Sequence, residues 1–247
     1  MASNNKSVIL KYLCLFICGV LVVPQLVSCG KDSTTTSLGS NNGYLNIVNL
    51  SPNINPVNLY ASFIKQGTTI YRYPTPSDYF LMNIIDTPLQ IRPALTTTSS
   101  QSNLITLPRQ LNKNIRYTWY LTGLRSDSAF SYIFTVDSGA IPAPGRSKIR
   151  MVNASPGTTG LNLTANDSLA FSKVSYKGVT DYKEVTAGTY NFKFTNGAAT
   201  STILTTLKNV TVLDGKLYTL YTYGLLNRTD TAAFNAGIIL NTIPDKK

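Results

Sequence analysis

A chain of 247 residues, 43% of them hydrophobic, can bury one large core or two ordinary ones, while a charged fraction of only 13% sets it apart from helical cytosolic proteins. Lysine and arginine outnumber aspartate and glutamate 22 to 11, a net charge of +11, and histidine is absent. Without histidine, Ser-His-Asp and Cys-His sites and zinc chemistry are excluded, so no catalytic residue, metal or cofactor is expected.

The first thirty residues carry Lys6 and Lys11, then twelve apolar or near-apolar residues from Tyr12 to Val23, stopped by Pro24. A membrane-spanning helix needs roughly 20 apolar residues, so this stretch is read as a secretion signal, residues 1–28. Leu26-Val27-Ser28-Cys29 resembles the bacterial lipobox, in which the cysteine receives diacylglycerol before cleavage. Cys29 is therefore the expected lipidation site. Cys14, Cys18 and Cys29 are the only cysteines, so the body of the protein has no disulfide framework. Gly30-Lys31-Asp32 partly resembles the export signals of Bacteroidota lipoproteins, and the expected location is the cell envelope, lipid-anchored at the outer membrane and surface-exposed.

Residues 29–43 are rich in Ser, Thr, Asn and Gly and form a lipidated, flexible tether, which fully stretched reaches roughly 45 Å. A first β-sandwich domain is expected over 44–137. It contains "IYRYPTPSDYF" (70–80), which gathers aromatic rings around two prolines. Exposed rings offer flat faces to sugars, so Tyr71, Tyr73 and Tyr79 are the candidate ligand-binding residues, weighed against strand packing and a rigid turn. Trp119, alternating with Tyr117 and Leu121, is read as core.

A linker follows at 138–147, within "DSGAIPAPGRS", and a second β-sandwich domain over 148–247. Three landmarks recur in order. Val48-Asn49-x-Ser51-Pro52 returns as Val152-Asn153-x-Ser155-Pro156, Ser77-Asp78-Tyr79 as Thr180-Asp181-Tyr182, and Tyr117-Thr118-x-Tyr120-x-x-Gly123-Leu124 as Tyr218-Thr219-x-Tyr221-x-x-Gly224-Leu225. Offsets of 104, 103 and 101 mean duplication of a whole domain. Tyr190, Phe192 and Phe194 alternate with polar residues, the period of a strand, and Asp214-Gly215 is a hairpin turn. The fold class is all-β: two tandem immunoglobulin-like or transthyretin-like antiparallel β-sandwich domains behind a lipoprotein signal peptide and tether. The Asn-x-Ser-Pro motif is explained as a corner by backbone needs alone.

These residues resemble the domain-of-unknown-function family 4397. The second copy carries the resemblance best, through Arg150, Asn153-Ala154-Ser155-Pro156, Tyr176, Tyr182, Ala187-Gly188-Thr189-Tyr190 and Tyr218-Thr219. The first keeps Ser51-Pro52, Tyr60, Tyr79 and Tyr117-Thr118 but lacks Ala-Gly-Thr-Tyr. The resemblance implies an exported bacterial β-sandwich and brings no catalytic residues.

Without Lys6 and Lys11 the mature chain has 20 bases against 11 acids. Arg146, Lys148 and Arg150 would line one strand face, read as solvated rather than as a stripe for anionic polysaccharide. Asp32-Ser33, Asp127-Ser128, Asp167-Ser168 and Asp230-Thr231 resemble Bacteroidota O-glycan attachment sites, making Ser33, Ser128, Ser168 and Thr231 candidate O-glycosylation positions. The expected function is a non-enzymatic binding or spacer module attached to the membrane through its N-terminal lipid, with a polysaccharide or another surface protein as partner and no nucleic acid. A self-assembling structural or adhesive component is the alternative, and a glycan-active enzyme ranks third.

Overall fold

The computed structural model describes residues 41–94, 103–126, 128–197 and 202–242. Cys29 and Ser33 lie outside the described residues, as do the signal peptide and nearly all of the tether. The first eight strands are β1 (Asn42–Asn49), β2 (Val57–Ala61), β3 (Ile64–Lys65), β4 (Phe80–Asn83), β5 (Leu89–Pro93), β6 (Ile105–Leu107), β7 (Arg116–Thr122) and β8 (Ser131–Val136). The second eight are β9 (Arg146–Asn153), β10 (Leu161–Ala165), β11 (Ser168–Val174), β12 (Lys183–Thr186), β13 (Gly188–Asn196), β14 (Ile203–Val212), β15 (Leu217–Tyr223) and β16 (Asn235–Thr242). No helix occurs among the described residues.

The strands form four sheets, ordered β4-β1-β7-β8, β3-β2-β5-β6, β12-β9-β15-β16 and β11-β10-β13-β14. Adding eight to each label of the first pair gives the second pair, so the duplication written in the sequence is a duplication of topology. The protein is all-β, two sandwiches in tandem. The sheets are antiparallel apart from one pair in each copy: β1 runs parallel to β7, with Leu45 opposite Tyr117, and β9 to β15, with Ile149 opposite Tyr218. The long route from β1 to β7, through the facing sheet, is what permits a parallel neighbour.

The recurrent corner has a defined task. At the end of β1 the Asn49 side-chain oxygen accepts the Ser51 amide at 3.2 Å, and the Ser51 hydroxyl donates to the Gly123 carbonyl at 2.6 Å. In the second copy Asn153 accepts the Ser155 amide at 3.1 Å and Ser155 donates to Gly224 at 2.6 Å. The first landmark is thus tied to the third, fastening the ends of the parallel strands. The middle landmark serves the same strand, since Ser77 Oγ accepts the Ile47 amide and Thr180 Oγ1 the Met151 amide, both at 2.9 Å.

Each sandwich owns a core. Leu45, Ile47, Leu59, Ile91, Trp119 and Leu121 belong to the first, and Ile149, Met151, Leu163, Phe192, Phe194 and Leu220 to the second. A third apolar cluster joins them: Val48, Leu50, Tyr120 and Ile133 of one copy meet Val152, Ala154, Tyr221 and Ile239 of the other. Burying each large apolar side chain contributes about 1.5–3 kcal/mol, so the contact is a substantial stabilising element. It also covers much of the outer face of β1, β7, β9 and β15, so that residues on both faces of these strands are buried, polar ones among them. The expectation of a solvated basic strand face fails here for Arg150, which is 4% exposed because the first sandwich packs over it.

Candidate functional site

The aromatic segment 70–80 is built mainly into the architecture. Tyr71, 4% exposed, lies in the first core, and burial pushes its phenol up to about 12. Tyr73 packs edge-on against Tyr223 of the second sandwich, with ring centroids 5.8 Å apart. Tyr79 points its hydroxyl into a polar network between the two copies. The three tyrosines go to three different places, so the structure does not bring them together as a stacking platform. Of the segment's aromatic rings, Tyr71 and Phe80 serve the first core, and Tyr73 and Tyr79 serve the contact between copies.

The network around Tyr79 is dense. Its hydroxyl donates to Asp137 Oδ2 at 2.6 Å and accepts from Asn241 Nδ2 at 3.0 Å. Asp137, fully buried, forms an ion pair with Arg150 across the contact and accepts the Thr135 hydroxyl at 2.7 Å. Arg150 also donates to the Val136 carbonyl and Thr219 Oγ1, both at 2.8 Å, and to Thr135 Oγ1 at 3.1 Å. Tyr182, the counterpart of Tyr79, donates to Asn241 Oδ1 at 3.2 Å. Burial lowers the Arg150 pKa, and Asp137 alongside more than reverses this, leaving it raised. Burial and then the Asp137 charge push Tyr79 far up. A carboxylate neutralised by a guanidinium and enclosed by hydroxyls has no free lone pair for acid–base work; it locks the two sandwiches in one orientation.

An accessible site does exist beside this segment, at the edge of the first sandwich where β3 and β4 terminate their sheets. A groove of about 300 Å³ is lined there by Gln66, Gly67, Thr69, Tyr71, Phe80 and Met82. A second depression of about 310 Å³ over Ile70–Ser77 adds Arg72, Thr75 and Pro76 and shares Thr69, Tyr71 and Ser77 with the first. The floor is apolar and the rim carries amide, hydroxyl and guanidinium groups. Neither depression contains a carboxylate. A third of about 340 Å³, beside Arg150 and Tyr182, has Asp181 as its one acid. General acid–base hydrolysis needs two carboxylates held across a cleft, and none of the three supplies them. No group of three or more Cys, Asp or Glu that could hold a metal occurs among the described residues.

Sequence alone does not single out Gln66, Gly67 and Met82; Phe80 falls in the aromatic segment it does mark. The signal was present in the differences between the copies rather than in their likeness. Ser128 and Thr231 are exposed at turns, Ser128 with φ +52°, and Ser168 is exposed as the first residue of β11, directly after Asn166 and Asp167, both at positive φ. Each position leaves room for a bulky modification.

Comparison with known proteins gives one family. The profile described as "Domain of unknown function (DUF4397)" matches residues 43–159 and again 147–237. No curated protein matches the chain. One solved structure, CBMbc of family CBM26 from Eubacterium rectale Amy13K in complex with maltoheptaose, aligns over 83% of this chain and 98% of its own at 12% identity, with a TM-score of 0.23. A likeness at that score carries no information about a shared ligand.

Proposed function

The chain belongs to the DUF4397 family, which its two matches cover from residue 43 to 237, and from that premise we propose that it is a non-catalytic binding module of the cell envelope, anchored by acyl chains at Cys29. Its binding site is the open edge groove of the first sandwich, and the second sandwich holds that edge in a fixed orientation. The observation that carries this reading is the contrast between copies. The same edge is open and apolar in one and closed by charged side chains in the other, while the contact that fixes the two orientations is kept.

Lipid anchoring rests on the lipobox-like Leu26-Val27-Ser28-Cys29 and surface display on the long polar tether. Protease treatment of intact cells tests the display: cleavage of the protein with periplasmic markers spared supports it, and full protection overturns it. The binding role is tested by screening the full chain against oligosaccharides and envelope proteins, with Leu81→Glu as the control that charges the groove edge. Ligand capture lost in that variant supports the site. Concentration-dependent polymers without any ligand would favour the self-assembling alternative, for which the uncharged edge of β4 is the specific observation.

A further inference from the structure

The two copies differ most where the groove lies, and the second copy shows what fills it. Ala61 and Ala165 hold the same place at the ends of β2 and β10, offset by 104. Tyr71 and Val174 also correspond, offset by 103, because their carbonyls accept the Asn49 and Asn153 side-chain amides respectively. Between these anchors the second copy runs Ser168–Val174 as a full strand, with Ala170 and Phe171 packed onto its core. The first copy has a two-residue strand, β3, and then Gln66-Gly67-Thr68-Thr69. Phe171 pairs with Leu163, the counterpart of Leu59, and the residue opposite Leu59 is Gln66, whose amide donates to the Leu59 carbonyl at 2.8 Å; Phe171 therefore corresponds to Gln66. The next residue, Gly67, has φ +62°, and a Cβ there would meet nothing within 4 Å. Where the second copy has that phenylalanine, the first has a groove lined by Gln66 and Gly67.

The facing wall differs in the same sense. Pairing of Leu45 with Phe80 and of Ile149 with Lys183 aligns Phe80-Leu81-Met82 with Lys183-Glu184-Val185. In the second copy Lys183 Nζ donates to the Ala170 carbonyl at 3.3 Å, bridging from β12 to β11, and Glu184 forms an ion pair with Lys148 at 3.7 Å. Charged side chains on an edge strand discourage a further strand from adding. The first copy has neither charge, and Leu81 is 53% exposed. The bond from the Ile84 amide to the Asn41 carbonyl sets the alternation along β4. Leu81 then belongs to a pair whose N–H and C=O point away from β1, toward the open edge.

We propose that this edge takes an extended polypeptide segment of a partner protein, which adds to β4 by main-chain hydrogen bonds at Leu81 and inserts one aromatic or large aliphatic side chain into the groove, as Phe171 does within the second copy. The proposal rests on the reading of the groove as the binding site and narrows its ligand to peptide.

The test uses the full chain in detergent and a labelled free peptide with the sequence of Ser168–Val174. Saturable binding is expected, weakened roughly tenfold or more by the Phe171→Ser version of the peptide, because one buried aromatic anchor is lost. Leu81→Pro removes the outward N–H at an edge position that tolerates proline, and Gln66→Phe fills the groove from its own wall. Both abolish binding, with Gln66→Phe leaving the unfolding midpoint unchanged or higher. Equal binding to wild type and to Gln66→Phe overturns the proposal. Capture of an oligosaccharide that Gln66→Phe blocks, with no peptide bound, overturns the peptide but leaves the groove as a binding site. Failure of both ligands overturns the two readings together.

Discussion

Tyr120 and Tyr221 hold the same position in the two copies, and their rings face each other across the contact with centroids 5.9 Å apart. Two like units packed about an approximate two-fold axis bring equivalent residues together in this way. The rest of the contact obeys the same relation. Tyr73 packs on Tyr223, whose counterpart Thr122 lies 3.4 Å from the hydroxyl of Tyr176, the counterpart of Tyr73. The two sandwiches thus associate as a symmetric dimer would, within one chain. The symmetry is broken at its polar centre, where Arg150 and Asp137 pair while the related positions hold Asn46 and Asn241.

That asymmetry makes the ion pair testable. Arg150→Ala leaves Asp137 buried without its counter-charge, and the expected cost is about 3–5 kcal/mol. Combining Arg150→Asn with Asp137→Asn copies the neutral residues already present at the related positions and recovers most of it. Urea unfolding of the three proteins measures this; a double variant no better than the single one would show that the charge is not what the site requires.

The contact should survive loss of the covalent link. A protease site placed between Ala140 and Ala143, followed by cleavage, is expected to leave the halves co-migrating on size exclusion, since the third apolar cluster and the Arg150 network both cross the junction. Separation of the cut halves at micromolar concentration would mean that the linker, not the interface, holds them.

Much of this was legible in the chain. Alternation at Tyr190, Phe192 and Phe194 marks a strand, and the corner at Asn153-Ala154-Ser155-Pro156 carries turn chemistry in its own residues. The duplicated landmarks announced two sandwiches. Their shared face was not legible, because a strand covered on both sides reads as a core strand whichever partner covers it, and Arg150 looks like any surface arginine. Tyr79 and Tyr182 recur because both serve the contact. The groove was hidden for the opposite reason: it exists through Gly67 and Leu81, residues at which the copies disagree.

Alkaline pH should weaken the fold in a defined window. Burial pushes Tyr71, Tyr73 and Tyr182 up to about 12, with neighbouring charges adding to the shift of Tyr73. Burial raises Tyr79, Tyr120 and Tyr221 further still. An unfolded chain ionises its tyrosines near pH 10, so the stability these phenols contribute is complete below that value and is lost as the pH rises through about 12. Phenolate absorbance and circular dichroism recorded together should show one class of tyrosines ionising only as the sheets unfold. Full ionisation with an intact sheet signal would mean that these phenols are open to solvent.

Membrane attachment is expected to depend on one thiol. Cys29→Ala removes the proposed acyl acceptor, and no helix among the described residues is long and apolar enough to cross a membrane. The variant should appear in the soluble fraction or retain its leader, and should not incorporate labelled fatty acid; unchanged membrane association would sink the lipobox reading.

The glycines of the third landmark separate two kinds of strain. Gly123 has φ +82°, and a Cβ there would lie 2.0 Å from the Ala129 carbonyl oxygen; at Gly224, with φ +75°, it would lie 2.2 Å from that of Ala233. Gly157 has φ +79° but nothing within 4 Å of a Cβ. Gly157→Ala therefore carries the backbone penalty alone, about 1–2 kcal/mol. Gly123→Ala and Gly224→Ala add a collision with main chain, which moves only if the turn after β7 or β15 moves. That turn presents the carbonyl to which Ser51 or Ser155 is bonded, so the collision is transmitted to the corner at the end of β1 or β9. The expected cost of each is at least about 2 kcal/mol beyond Gly157→Ala, from chemical denaturation of the three variants. Equal losses at all three positions would show that the turns relax freely and that the bond from corner to turn contributes little.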